Sequence, residues 1–138
     1  MMEKYGVANP STNDNAGVYT CETNGWYFTE KYNQLAEKGL LSSLDALYVG
    51  AFIEELVMID INQCPKLIIG TDNGINEESE CAKVYTDKAD LQRLYGSLLE
   101  GSENHLRAFV KNIEKGIGEG SYLAQVFTQG QVNAMLGR

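Results

Sequence analysis

The stretch SLDALYVGAFIEELVMIDINQ, residues 43 to 63, constrains this chain more than any other, because wound as a helix it is apolar on nearly every side. Leu47, Ala51, Met58 and Ile61 form one stripe at helical spacing with Glu54 at its centre. Val49, Phe52, Leu56 and Ile59 form a second on the other side. Such a helix is normally surrounded by protein, and leaving either stripe in water invites association. A carboxylate inside the stripe must be protonated, paired or bound to a cation, since desolvating a lone charge is costly. Ser42 with Asp45 gives a capping-box-like start, Asp standing where Glu is usual, and Pro65 ends the segment.

The sequence offers one other long helix to cover it, from about residue 87 to 115, started by Thr86 or Asp87 and stopped by Gly116 and Gly118. At about 100° per residue, Leu91, Leu94, Tyr95, Leu98, Ser102, His105, Leu106, Phe109 and Ile113 fall on one side, and Arg93, Glu100, Asn104, Arg107 and Lys111 fall opposite. His105, the single histidine, therefore lies in the apolar stripe, one turn after Ser102. The expected arrangement is all-α, with these two helices antiparallel and both Glu54 and His105 turned into the shared core.

The rest of the chain is lighter. Residues 1 to 28 read as an irregular segment rich in Asn, Thr, Gly and Ser. Thr29 caps a short helix through EKYNQLAEK that Gly39 ends, and Thr128 with Gln131 starts a last short helix. A single domain over 1–138 follows, with a helical core at 29–115, an inserted loop at about 64–85, and a tail at 116–138.

Charge narrows the partners. A net charge of -8 repels phosphate backbones and anionic lipid, and no basic patch offsets it, so neither nucleic acid nor a membrane surface is expected. The run LYVGAFIEELVMIDI is too short and, with Glu54 and Glu55, too charged to span a bilayer, and MMEKYG lacks the apolar core of a secretory signal. Cys21, Cys64 and Cys81 form no CxxC pair, which argues against a cysteine zinc site. Cys64 and Cys81 bracket the excursion PKLIIGTDNGINEESE, and a disulfide between them would staple its base, leaving Cys21 alone. That pairing implies an extracytoplasmic setting; free thiols and the cytoplasm are the alternative.

Two stretches carry a resemblance. SSLDALYVGAFIEELVMIDI and TDKADLQRLYGSLLEGSENHLRAF, above all IEEL and GSENHLRAF, resemble the second half of the ferritin-like proteins grouped as domain of unknown function 2202. The resemblance implies a plan similar to four-helix carboxylate-bridged metal proteins, in which two helices each give a Glu and two others a Glu-x-x-His pair. Glu54 stands where one helix offers its Glu, and His105 where another offers its His. Ser102 replaces the Glu of that second pair, a group able only to hold a water or orient a ligand. MMEKYG matches the end of the family's second helix, so half of a ferritin-like bundle is expected, completed by a second copy of the chain.

The expected site is thus a transition-metal centre, Fe, Mn or Zn, formed by Glu54 and His105 with groups from another chain. The alternative is a non-catalytic helical scaffold or oligomerisation module, without metal, in which a buried His105 hydrogen-bonds Glu54. Glu55 and Glu103 lie off the stripes and read as solvated, Glu103 pairing with Arg107 at i,i+4. Asp60 has no evident ligand role. No catalytic residue is expected: Ser102 and His105 share a face, but no orienting carboxylate or oxyanion hole accompanies them.

Overall fold

The computed structural model describes residues 3–8, 13–20, 25–63 and 88–138. Within these the chain forms a 3-10 turn at Glu3–Tyr5 and four helices: α1 Gly25–Leu41, α2 Ser43–Gln63, α3 Ala89–Ile117 and α4 Gln129–Leu136. The described residues contain no strand, as the all-α reading requires. None of these helices is long and apolar enough to cross a membrane. Cys21, Cys64, Cys81, Thr86 and Asp87 lie outside the described residues, and with them the expected disulfide, the inserted loop and the expected caps of α3.

Local chemistry sets most of the helix ends. Ser42 Oγ accepts from the Asp45 amide at 3.0 Å and donates to its carboxylate at 2.5 Å, which starts α2 one residue after α1 stops. Thr128 and Gln131 make a full capping box ahead of α4, and left-handed Gly137 closes that helix. Gly118, at φ 110°, terminates α3 and returns its N–H to the Glu114 carbonyl. The first helix departs from expectation. It begins before Thr29, whose hydroxyl instead accepts from the Tyr19 amide at 3.0 Å, and it runs through Gly39, where α1 comes close to Ala46 of α2.

Helix α2 occupies the middle, packed against α1 on one side and α3 on the other, with α4 against α3. The pair α2 and α3 is antiparallel, because Gly50 abuts the Phe109 ring while Glu54 meets His105. A side chain at Gly50 would overlap that ring, so its absence lets the two helices close.

The core is not made by the helix pair alone. Ala51 and Met58 of α2 and Leu106, Val110 and Ile113 of α3 join Tyr122, Phe127 and Val132 in one buried cluster. Residues 118 to 138, most of the tail read from the sequence at 116–138, thus cover one face of the pair. Polar ties hold their far end: Arg107 Nε donates to the Met135 carbonyl at 2.8 Å, and Arg138 grips Glu114 through two bonds of 2.7 Å. Arg138, followed by the Tyr122 amide, holds the Glu114 carboxyl down to about 2 from an ordinary 4.5. A carboxylate with a lowered pKa stabilises the fold above its ordinary value, and that stabilisation fades as pH falls toward the folded value. Arg138→Ala will therefore melt below the parent at neutral pH, and the gap will close as pH drops from about 4.5 toward 2. Thermal scans of both proteins across that range check this; a gap independent of pH would contradict it.

Candidate functional site

Glu54 and His105 meet. The carboxylate Oε1 lies 3.1 Å from His105 Nδ1, a distance at which the imidazole N–H donates to the carboxylate. Their surroundings differ from those expected: the Glu54 side chain is 17% exposed, but His105 is 67% exposed. His105 is not a core side chain. The buried line of α3 is Ser102, Leu106, Val110 and Ile113, and the neighbouring line Leu94, Leu98, Gly101 and His105 faces outward beside it. The stripe read from sequence merged these two lines, which lie about 100° apart around the helix. Ser102 is buried as a member of the first line, while the ring it was expected to support turns out on the second.

The larger correction concerns Glu55. Expected to be solvated, its side chain is fully buried. Tyr122 Oη donates to it at 2.6 Å, and the backbone amides of Gln125, Val126 and Phe127 donate at 3.0, 2.7 and 2.9 Å. Charge-assisted bonds of this kind are stronger than neutral ones, and three successive amides aimed at one anion form a cradle ready for a carboxylate. Burial, then the hydrogen bond to Glu55, pushes the Tyr122 phenol far above its ordinary range, so it stays a donor. Tyr122 stacks on Tyr48, and Gln125 Nε2 reaches both the Tyr48 carbonyl and Tyr122 Oη. Glu55 therefore fastens the non-helical segment before α4 onto α2, and it sets the rotation that leaves Glu54 on the adjoining face.

One smaller expectation held. Glu103 pairs with Arg107 at 3.3 Å across one helical turn. Among the described residues no group of three or more His, Cys, Asp or Glu side chains converges, so one chain brings two candidate ligands together and not four. The apolar side chains expected to drive association, Val49, Phe52, Leu56 and Ile59, are each partly covered, and Ile59 packs against the core. The more exposed apolar residues of the pair are Leu44, Ile53, Val57, Leu94, Leu98 and Ile117.

Comparison with known proteins places this geometry in context. The family model described as an uncharacterized protein domain, DUF2202, matches residues 1–137. The uncharacterized protein MJ0754 of Methanocaldococcus jannaschii is 37% identical over 111 residues, which make up 80% of this chain and 48% of that protein. A crystal structure titled as hypothetical protein MJ0754 from Methanococcus jannaschii superposes with a TM-score of 0.71 at 31% identity, covering 99% of this chain and 65% of that one. The chain spans about half the length of the curated relative it matches.

Proposed function

On the premise that the chain belongs to the DUF2202 family, as the match over residues 1–137 shows, we propose that it is a ferritin-like helical-bundle protein. In this reading it binds a transition metal through Glu54 and His105 with groups from a second chain. One observation carries the reading: a carboxylate oxygen and an imidazole nitrogen stand 3.1 Å apart, presented by two different helices. The two atoms stand close enough to be offered to one ion, which would take the place of the hydrogen bond between them once the ring proton sits on Nε2. Neutral imidazole with carboxylate suits Fe, Mn or Zn and selects weakly among them. A bound ion would supply Lewis acidity or, for iron and manganese, redox chemistry. Glu54 and His105 would hold it, and Ser102, at the position one turn before His105, adds no charge.

The exposure of His105 supports a second reading. In it the pair is an ordinary surface contact tying α2 to α3, and the chain is a non-catalytic scaffold. Metal content separates the two. The expected result is metal in the purified protein at about one ion per pair of chains, with affinity falling at least about tenfold in Glu54→Gln and in His105→Ala. Equal, weak retention of Fe, Mn and Zn by the parent and both variants would leave the scaffold reading.

A further inference from the structure

We infer that the outward face running along α2 and α3 beside Glu54 and His105 is the surface on which a second copy of this chain docks. Glu54 lies in a line with Val57 and Ile61 on α2, and His105 in a line with Leu94, Leu98 and Gly101 on α3, each at spacings of three or four residues. Because Glu54 meets His105 and Gly50 meets Phe109, the two lines run side by side. Val57 is 36% exposed, Leu94 38% and Leu98 46%, so the apolar surface flanks the polar pair. Gly101 has open space where a Cβ would stand, which allows close approach at the middle of the face.

Two features favour a second copy as occupant. The first is area. Helix α2 is about 30 Å long and a helix pair is roughly 20 Å wide, so the face offers on the order of 600 Å² per copy. Doubled, this reaches the lower limit of stable interfaces. The second is the half-site. A two-fold passing beside the pair repeats the same carboxylate and imidazole across the interface, converting two ligands into four. For the ligand count this rests on the metal reading above; for the apolar flanks it does not.

Electrostatics adds a distinguishing consequence. Two Glu54 carboxylates facing each other repel, and a cation between them offsets that repulsion. A metal bound only by the dimer strengthens association by linkage, and Glu54→Gln removes both the repulsion and the ligand. The Glu54→Gln chain will therefore dimerise without metal, whereas the parent's dimer will weaken in chelator.

Sedimentation and light scattering on the full chain, with Zn or Mn or with chelator, test the proposal. The parent is expected at twice its 15.3 kDa, and Leu98→Glu is expected to weaken the dimer by about 100-fold or more. Leu94→Glu serves as a second disruptive variant, with far-UV circular dichroism confirming that each folds. Leu123→Glu, exposed on the C-terminal segment, should leave the dimer intact. A parent that stays monomeric with Zn or Mn present, or a dimer unmoved by both Leu94→Glu and Leu98→Glu, overturns the docking face. A metal-free dimer that those variants break supports the face and removes the metal reading.

Discussion

Glu55→Ala will lower the stability of the fold by about 3 to 5 kcal/mol, because it removes a buried acceptor and leaves its donors in place. The phenol of Tyr122 and the amides of Gln125, Val126 and Phe127 would all lose the carboxylate that satisfies them. Water entering the vacated space recovers part of this loss, since the site is polar on several sides. Glu55→Gln should cost less, about 2 kcal/mol, as its amide keeps one acceptor oxygen but turns an NH2 toward existing donors. In thermal unfolding the alanine variant should melt roughly 10 to 20 °C below the parent. Urea titrations followed by far-UV circular dichroism give the free energies directly. If Glu55→Ala falls within about 1 kcal/mol of the parent, the carboxylate is not what secures the segment.

The second large effect falls on Leu106, and it is sharpest beside its neighbour. Leu106 is fully buried between α2, α3 and the C-terminal segment, whereas the adjacent His105 side chain is mostly in solvent. Leu106→Ala will therefore cost about 3 kcal/mol from lost burial and the cavity left behind. His105→Ala will cost about 1 kcal/mol or less, since an exposed ion pair or hydrogen bond contributes little. The two single variants, unfolded side by side without added metal, measure the contrast. Equal losses would mean that the ring is packed in the folded protein and that the outward line on α3 is misplaced.

That contrast also shows where sequence reading stops. The start of α2, the end of α3 and the start of α4 were legible because Ser42, Gly118 and the Thr128–Gln131 box are local signals acting within a few residues. Which way α2 is turned was not. An amphipathic helix declares its buried side, but α2 is apolar almost all round, so the lines Leu47–Ala51–Glu54–Met58 and Leu47–Ala51–Glu55–Met58 fit its pattern equally well. The adjacent acids are separated by about 100° of helix, and only the donors in residues 122 to 127 decide which one goes inside. Those donors are mostly backbone amides, which every sequence carries and none advertises. Tyr122 was the one visible clue, an aromatic with a polar tip in a stretch that lacks helical periodicity.

On α3 the mistake was of a different kind. The apolar residues there occupy two adjoining lines, one packed against the core and one facing out through Leu94 and Leu98. Periodicity sums the two into a single broad stripe, and a histidine on the outer line is counted as inside. The meeting of Glu54 and His105 was anticipated all the same, because it depends on the antiparallel register of α2 and α3 and not on how deeply either side chain sits.

The cradle around Glu55 has a kinetic signature. The amides of Gln125, Val126 and Phe127 belong to no helix, and amides in such stretches usually trade their protons with solvent quickly. Here each is held on a buried carboxylate and becomes available only when the whole segment lifts from α2. In heavy water these three should retain their protons as long as the centres of α2 and α3 do, forming an island of slow exchange inside an otherwise irregular stretch.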